Sequence, residues 1–335
     1  MKHQSIDVIT KYFYPVAAGI ETNILETYSV IARKNIDVTI HTSRDEYIEK
    51  NTLAQSETIR GLKIKRYSFI HEIVAFGVNI DWEKTDVVAL HNFNVFFWRY
   101  FITIGYHKLL GKKQYRLIVT PHGGFCPQWS MFPIISRVLK YIYHRLIGSL
   151  FINLLADEVR AVSDWEKVQM IKLGVRENLI TTITNGLEDE AFMDVDALAS
   201  RKVKALVKNL DSYMIQIGRI YPIKNYETVI RALPHVPTVK YLIIGQEEKS
   251  SQYQNYKQGL INLAKNLGVA DRVIFGGVLR GVDKYYVIKH SQLMVHMALW
   301  ESFCNVVHEG MSQGRVCIVA NNTALPLLIK NNVNG

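Results

Sequence analysis

The sequence contains few cysteines and no long uncharged apolar run. Its three cysteines among 335 residues, Cys126, Cys304 and Cys317, lack the spacing of a metal site or a disulfide framework, so we interpret them as free thiols. No apolar stretch reaches the roughly 18 residues of a membrane-spanning helix. Asp7 interrupts the first apolar run, which argues against a signal peptide. These absences predict a cytoplasmic protein.

Acidic residues are scarce relative to basic ones. The 40 Lys and Arg against 30 Asp and Glu give a net charge of +10, and the segment Val87–Ala156 contains no acidic residue. Such a surplus predicts anionic partners, namely phosphates, nucleic acid or acidic lipid headgroups. Because we find no helix-turn-helix, finger or RNP-like motif, we do not expect a nucleic-acid partner. An apolar content of 48% excludes a disordered chain.

Short β-branched runs alternate with helical patterns along the chain, which is typical of parallel sheets built from βαβ units. The predicted strands form two series: Ile6–Thr10, Asp37–Thr42, Val87–His91, Arg116–Thr120, Glu158–Val162 and Ile180–Ile183, then Tyr213–Ile217, Lys240–Ile244, Val273–Phe275, Leu293–Met297 and Val316–Ala320. We therefore predict an α/β protein with two Rossmann-like domains facing a central cleft, where ligands of open sheets bind.

The segment between the two series is rich in Asp, Ala and Lys. It predicts domains at residues 1–190 and 212–335, joined at residues 191–211 by a linker with a capping helix. A doubly wound domain normally continues past a strand such as Val316–Ala320 with another strand and covering helices. Because the sequence stops in the turn-like NNVNG, we expect the C-terminal domain to be incomplete.

The most specific motif is LMVHMALWESFCNVVHEGMSQGRVCIVA, which predicts a strand, a loop, a helix from about Asn305, and a further strand. Glu301 follows the first strand, and Glu309 lies eight residues later in the helix. The backbone N–H groups at a helix start bind anions, and carboxylates accept hydrogen bonds from hydroxyl groups. The motif therefore suits a nucleotide sugar, although an ordinary βαβ unit with solvated glutamates has the same pattern.

A second motif, IGRIYPIKN, follows the predicted strand Tyr213–Ile217. It places Arg219 and Lys224 five residues apart in a loop that Pro222 keeps from being helical. Two cations at the carboxyl end of a strand can clamp a diphosphate. Such a pair is often merely solvated, but the two glutamates in the same predicted domain favour the functional interpretation.

Together these motifs resemble those of a known family. GRIYPIKN followed by ESFCNVVHEGM is similar to the G-R-x-x-P-x-K-[GN] and E-x7-E motifs of the retaining glycosyltransferases of GT-B fold (family four, glycosyl transferases group 1). YFYPVAAGIETNILETYSVIA, DVVALHN and VTPHGGF resemble the family's first loop and helix, an acceptor-side strand end and its His-Gly loop. The resemblance covers most of the chain.

The resemblance implies a GT-B fold with an acceptor-side N-terminal domain and a donor-binding C-terminal domain. It also implies transfer of a hexose from a nucleoside-diphosphate sugar to an acceptor hydroxyl, with retention of anomeric configuration, in glycan, polysaccharide or glycolipid assembly. No cofactor is implied, and no metal, since we see no Asp-x-Asp motif or His/Cys cluster. The expected partners are the nucleotide sugar and a glycan or lipid-linked acceptor.

The resemblance also implies roles for individual residues. Arg219 and Lys224 would neutralise the donor diphosphate, Glu309 would bind the ribose hydroxyls, and Glu301 would contact the transferred sugar. His122 would reach the reacting carbon from the opposite domain, so the expected catalytic residues are His122, Glu301, Arg219 and Lys224. Further donor contacts are expected at Gly19 and at the backbone of Phe303, Cys304, Asn305 and Val306.

Some positions depart from the family pattern or have two interpretations. Ala17 and Ala18 stand where paired glycines are usual before Gly19, and Cys304 stands at a usual glycine position. His91 and Asn92 could orient an acceptor or cap the next helix. A catalytically inactive, sugar-nucleotide-binding paralogue is therefore the alternative to an enzyme, and a two-lobed solute-binding protein would need an export signal that we do not find.

The acid-free segment suggests a docking surface. Aromatic residues crowd its first part (Phe96, Phe97, Trp98, Tyr100 and Phe101), and the predicted helix Ile134–Leu155 carries a polar stripe of Arg137, Lys140, His144 and Arg145. A basic, aromatic surface suits an anionic membrane, here the inner face of the cell membrane. The equally open alternative is a buried helix whose basic side chains extend to solvent.

Overall fold

The computed structural model describes residues 4–16, 19–45, 52–71, 74–75, 80–92, 103–111, 115–247 and 255–335. The chain forms two compact units, Met1–Gly186 and Leu187–Gly335. Each unit is built on a mainly or wholly parallel sheet. Within the described ranges, no helix is both long enough and apolar enough to span a membrane.

The first unit contains ten described strands: β1 Ser5–Ile9, β2 Asp37–Ser43, β3 Ser56–Ile59, β4 Leu62–Tyr67, β5 Phe69–His71, β6 Val74–Ala75, β7 Val87–His91, β8 Arg116–Thr120, β9 Glu158–Ala161 and β10 Ile180–Thr182. Eight of them form one sheet in the order β10-β9-β8-β7-β1-β2-β4-β3, while β5 and β6 pair separately. In the large sheet only β3 and β4 are antiparallel.

Five helices accompany this sheet: α1 Gly19–Ala32, α2 with described residues 103–109, α3 Ile134–Ile142, α4 Ser149–Leu155 and α5 Asp164–Lys172. A π-helical turn, Tyr143–Gly148, joins α3 to α4. The core lies under the central strands, because Val88 and Leu90 of β7 and Leu117 and Val119 of β8 are fully buried, as is typical of parallel strands.

The second unit contains β11 Tyr213–Ile217, β12 Lys240–Ile244, β13 Val273–Phe275, β14 Leu293–His296 and β15 Cys317–Val319, in the parallel order β13-β12-β11-β14-β15. Its helices are α6 Val195–Leu198, α7 Arg201–Leu210, α8 Tyr226–Ala232, α9 Tyr256–Asn266, α10 Gly281–Lys289, α11 Asn305–Ser312 and α12 Leu325–Leu328. All five residues of β11 are buried, and the one polar member, Gln216, accepts a hydrogen bond from Tyr241 Oη at 2.6 Å.

The residues expected to form a linker belong to the second unit. The buried side chains of this segment lie in the core of that unit and recur about every four residues: Ala191, Val195, Ala199, Val203 and Leu210. Two of these residues, Val203 and Leu210, lie on the buried face of α7, whose lysines Lys202 and Lys208 are exposed. The Ser200 hydroxyl caps α7 by accepting from the Val203 N–H at 3.3 Å.

Of the four residues of the polar stripe predicted between α3 and α4, only two are exposed. Arg137 turns inward and donates to the carbonyl oxygens of Ser130 and Phe132, and His144 is buried against Phe125 O at 2.8 Å. Lys140 and Arg145 remain exposed. The aromatic residues predicted upstream, between 93 and 101, lie outside the described residues.

Candidate active site

Glu301 lies in the loop after β14 and is held by two donors. Its Oε1 accepts hydrogen bonds from His296 Nε2 at 2.8 Å and from the ammonium of Lys224. Burial alone would raise the pKa of Glu301, but the charge of Lys224 and the hydrogen bond from His296 outweigh it and hold that pKa at about 2. The carboxylate is therefore ionised at any pH at which the protein works.

His296, at the end of β14, was not anticipated from the sequence as part of this group. Because its Nε2 donates to Glu301, its proton is on that nitrogen, and burial lowers the pKa of the ring so that it is neutral. Its Nδ1 is buried without a hydrogen-bond partner among the described residues. The sequence did contain a signal for this contact, because His296 lies next to the end of the predicted strand Leu293–Met297 and five residues before Glu301.

The loop that carries the two predicted cations begins where two strand ends nearly touch. A Cβ atom on Gly245, after β12, would lie 1.8 Å from the carbonyl oxygen of Gly218, after β11. Tyr226 Oη donates to that same oxygen at 2.8 Å, which secures the start of the loop. The Arg219 guanidinium then lies 4.9 Å from the centre of the Tyr221 ring.

Lys224 ends a short 3₁₀ turn in this loop, and Gln216 Nε2 donates to its carbonyl oxygen at 2.8 Å. The sequence assigned Lys224 to the diphosphate and Glu301 to the sugar, whereas the structure joins the two side chains in one buried ion pair. Burial opposes the charged form of Lys224, yet the Glu301 charge raises the net pKa of the lysine. Both charges are therefore in place before any ligand binds.

The helix α11 starts directly after Phe303 and Cys304. Cys304 has a φ of +71°, a left-handed conformation that turns the chain into the helix. The N–H groups of a first helical turn lack intrahelical acceptors and project from the helix start, where they carry partial positive charge. The structure thus brings the predicted backbone segment 303–306 to the same loop as Glu301.

Glu309, one turn into α11, has one bonded and one open oxygen. Lys284 Nζ donates to its Oε1 at 3.0 Å, and its Oε2 is buried without a hydrogen-bond partner in the described part of the chain. Burial raises the pKa of this carboxyl group, and Lys284 partly offsets the shift. An unsatisfied buried acceptor costs about 1–3 kcal/mol, so Oε2 is poised for a ligand donor.

In the first unit, His91 and His122 form a buried hydrogen-bonded pair. His91 Nδ1 lies 2.8 Å from His122 Nε2, and Tyr28 Oη lies 2.9 Å from His91 Nε2. Burial lowers the pKa of His122 to about 3 and holds that of His91 well below its usual value, so both rings are neutral. Both nitrogens of His91 therefore have partners inside the first unit, and the ring holds His122 in place. The role of His91 and Asn92 toward the sugar acceptor stays a prediction.

The His-Gly loop, which contains His122 and Gly123, is held in place by a hydrogen bond to Glu166. This buried carboxylate accepts from the N–H groups of Gly123 and, at 2.8 Å, Val162. His122 and Gly123 both have positive φ, at +51° and +81°. Of the remaining predicted positions, Asn92 has a φ of +70° and Gly19 begins α1, whereas Ala17 and Ala18 lie outside the described residues.

His296, Glu301 and Cys304 are the described side chains that come closest to a metal site, with ligand atoms within 4.8 Å of one another. Two donors already bond to Glu301 Oε1, one of them an ammonium group. Burial raises the pKa of the Cys304 thiol well above its usual range, so it is not a ready thiolate ligand. The expectation that this site needs no metal stays a prediction.

Two family models match the chain. The model of the Glycosyl transferases group 1 matches residues 200–335, and that of Glycosyltransferase Family 4 matches residues 17–191, just over half of the chain. The chain belongs to Glycosyltransferase Family 4. The first match covers Arg219, Lys224, Glu301 and Glu309, and the second covers the histidine pair.

Curated relatives of this Family 4 protein include D-inositol 3-phosphate glycosyltransferases of Mycobacterium tuberculosis (strain H37Rv) and Mycobacterium bovis (strain BCG Pasteur). Each is 28% identical over 182 residues, which is 54% of this chain and 37% of the relative. The match therefore spans little more than a third of the length of these relatives.

Solved structures of similar fold include Anabaena Alr3699/HepE in complex with UDP-glucose, with a TM-score of 0.74 at 17% identity over 99% of this chain and 85% of that one. Sucrose-phosphate synthase from Thermosynechococcus elongatus has a TM-score of 0.75 at 16% identity over 98% and 84% of the two chains. These likenesses show the fold, and they confirm the prediction of a GT-B protein with two Rossmann-like domains.

Proposed function

We propose that this protein transfers a hexose from a nucleoside-diphosphate sugar to an acceptor hydroxyl, with retention of anomeric configuration. The observation that carries the proposal is the pair of buried glutamates in the second unit. Glu301 is ionised and fixed beside Lys224, and Glu309 presents an unpaired oxygen. Membership of Family 4 and the UDP-glucose bound to Alr3699/HepE support a nucleotide sugar as the ligand.

In this proposal the departing diphosphate is stabilised by groups that are already in position. Arg219, Lys224 and the N–H groups at the start of α11 provide positive charge at one end of the sheet, and fixed charges of this kind lower the barrier because they need no reorganisation. Glu301 accepts hydrogen bonds from the sugar hydroxyls. The same cations would make a divalent metal unnecessary for charge neutralisation, and no cofactor is needed.

The proposal is tested first by binding and then by turnover. In a thermal-shift screen of UDP-, GDP-, ADP- and dTDP-sugars, we expect one group of donors to raise the melting temperature, because a ligand of the folded state stabilises it by RT ln(1 + [L]/Kd). Slow hydrolysis of that donor, unaffected by EDTA, is then expected. No shift with any donor would overturn the proposal, and binding without hydrolysis or transfer would favour the inactive paralogue.

We further propose that the acceptor is lipid-linked or part of a growing glycan, reached at the inner face of a membrane. The stretch from α3 to α4 exposes apolar side chains along its length: Ile134, Ile135, Val138, Leu139, Leu146, Leu150 and Leu154. Lys108 on α2 donates to Leu155 O at 3.2 Å, so α2 lies beside α4 and adds the exposed Leu109. We call these eight residues the apolar surface.

The chemistry of the apolar surface favours an anionic bilayer as its partner. Lys140 and Arg145 are exposed within it, and the surrounding sequence has no acidic residue. Each cation near an anionic leaflet contributes about 1 kcal/mol, and apolar side chains add the gain of leaving water.

Vesicle co-sedimentation tests the membrane proposal. We expect the protein to bind vesicles containing phosphatidylglycerol at low salt and to be weakened, not fully released, at high salt, because salt screens charge but not apolar insertion. The double variant Ile135→Asp/Leu139→Asp should lose most of this binding, whereas Leu198→Asp, an exposed leucine of the second unit, should not. Absent binding at low salt, or equal binding by the double variant, would contradict the proposal.

A further inference from the structure

Lys284 is a buried lysine that no sequence motif connects with the donor site. It lies in the first turn of α10, and its side chain is only 11% exposed. Lysine is rarely so buried unless its charge is paired. Its Nζ donates to Glu309 Oε1 at 3.0 Å and to Glu188 Oε2 at 2.7 Å, so it bridges two carboxylates from different segments.

The donors of Lys284 are used inside the second unit. Besides the two carboxylates, its Nζ lies 4.7 Å from the centre of the Tyr285 ring, which occupies a further side of the ammonium group. An ammonium group has three N–H donors. Burial opposes its charge, but Glu309 and Glu188 together raise its net pKa, so it stays charged. Lys284 is therefore placed to hold Glu309 rather than to bind a phosphate group.

Glu309 acquires a defined orientation from this contact. With Oε1 bonded to Lys284, the carboxylate cannot rotate freely, and Oε2 is the oxygen without a described partner. We propose that Lys284 is a positioning residue for donor recognition, which fixes Glu309 so that its Oε2 accepts hydrogen bonds from the ribose hydroxyls. This rests on the proposed function, because it takes a nucleoside diphosphate as the ligand.

The charges around Glu309 determine the pKa of this carboxyl group, and therefore how donor binding by Glu309 depends on pH. Lys284 lowers the pKa of Glu309 and Glu188 raises it. Other ionisable groups on the packed elements are Tyr285 on α10, Glu190 beside Gly281, His296 on β14, Cys317 on β15, and Cys304 and His308 at α11. Burial keeps the tyrosine, the thiols and both histidines neutral by shifting their pKa values.

Two substitutions should therefore shift the pH dependence of donor binding in opposite directions. Lys284→Met removes the cation and raises the pKa of Glu309. As pH is lowered, Glu309 is then protonated earlier, so the affinity for the donor falls at a higher pH than in the wild type. Glu188→Gln removes the neighbouring anion, lowers that pKa and preserves affinity to a lower pH. If Lys284 had a merely structural role, both variants would bind more weakly, and the pH dependence of binding would not shift in opposite directions in the two variants.

The experiment is calorimetric titration with UDP, GDP and ADP across pH 5 to 8. With the tightest of these, Lys284→Met should bind about tenfold more weakly at neutral pH, the effect of one lost hydrogen bond to a charged group. Its preference for the ribose form over the 2′-deoxy analogue should shrink as well. Lys289→Met, a paired and partly exposed lysine on the same helix, is the control and should match the wild type.

Several outcomes would overturn the inference. Unchanged binding in Lys284→Met would do so, as would shifts of the two pH profiles in the same direction. If Lys284→Met fails to fold, an unshifted profile in Glu188→Gln decides against the inference by itself. Failure of the wild type to bind any nucleoside diphosphate would instead overturn the proposed function, and this inference with it.

Discussion

Glu301 and Glu309 are two glutamates of one motif, but their surroundings give them different properties. Glu301 shares one oxygen between Lys224 and His296, and its pKa is about 2. Glu309 has a single cation, one open oxygen and a raised pKa. The first is a permanently charged acceptor, whereas the second gains a further donor only when a ligand arrives.

This difference predicts separate effects of the two substitutions. Glu301→Gln should lower turnover at least 100-fold, because a neutral amide is a weaker acceptor for the sugar hydroxyls than the carboxylate, and should change the affinity for the free nucleoside diphosphate less than threefold. Glu309→Gln should weaken that affinity by about 1–3 kcal/mol. Steady-state kinetics and calorimetry measure the two effects, and equal losses of affinity in both variants would show that the roles are not divided in this way.

Glu166 predicts a pH-dependent stability of the first unit. Burial raises its pKa from 4.5 to about 7. Between these values the unfolded chain has lost the proton that the native state keeps, so the free energy of unfolding falls as pH rises, by about 3 kcal/mol in all. The loss begins near the unfolded pKa and is complete above the folded one.

Tryptophan fluorescence is a suitable probe, because Trp82, Trp129 and Trp165 lie in the first unit and Trp300 lies in the second. Denaturant unfolding at several pH values should show the predicted slope in the wild type. Glu166→Gln should lose the slope while shifting stability by a constant amount, since it also disturbs the bonds to Gly123 and Val162. A slope that persists in the variant would assign it to another group.

At the scale of elements, the eleven predicted strands pair only in parallel, whereas each of the four described strands that were missed takes part in an antiparallel pair. Each of the eleven predicted strands is present, with bounds shifted by at most one residue. The missed strand Leu62–Tyr67 is LKIKRY, in which Leu62, Ile64 and Arg66 are buried and the two lysines are exposed. The alternation of buried and exposed residues in this segment was a usable signal. The segment is polar on one face because β4 is covered on only one side, so it lacks the continuous apolar run of the predicted strands.

The start of α11 predicts an unusual order of stabilities. Cys304 adopts a left-handed backbone, which costs roughly 1–2 kcal/mol for a residue with a Cβ atom, and its thiol is buried in the core of the second unit. Cys304→Ala keeps the strain and loses the packing, whereas Cys304→Gly loses both. We expect the glycine variant to be the more stable of the two by about 1 kcal/mol.

Denaturant unfolding followed by tryptophan fluorescence, to which Trp300 contributes from the second unit, measures this difference. The wild type serves as the reference for both variants. Greater stability of Cys304→Ala than of Cys304→Gly would mean that the backbone at this position is not strained.

At the scale of the whole chain, the boundary at Gly186 and Leu187 has a practical consequence. The fragment 187–335 contains Lys224, Glu301, Glu309 and Lys284 together with the core residues supplied by α6 and α7. We expect it to fold alone and to bind a nucleoside diphosphate. The fragment 212–335, cut at the boundary that the sequence suggested, loses those core residues and should be insoluble or unfolded.

Circular dichroism and calorimetry on both fragments provide the measurement. If the shorter fragment folded and bound as well as the longer one, the residues from 187 to 211 would not be part of the core. If neither folded, the second unit would depend on the first for stability.

The predictability of the site follows the same division between local and distant information. Arg219, Lys224, Glu301 and Glu309 could be proposed from the sequence because each lies in a short motif next to a strand or helix end. Lys284 is 25 residues from Glu309 and His91 is 31 from His122, on separate elements. Only the packing of the chain brings such partners together, so no local pattern could reveal that Lys284 contacts Glu309 or that His91 contacts His122.

The near-contact of Gly218 and Gly245 makes the loop that carries Arg219 depend on a glycine from a neighbouring strand end. A single added methyl group at residue 245 would drive the first peptide of this loop outward and displace Arg219, the cation that we propose for the donor diphosphate. A library of all amino acids at this position, selected for activity, should return glycine alone. The same library at Gly259, where a Cβ atom would meet nothing within 4 Å, should return many residues.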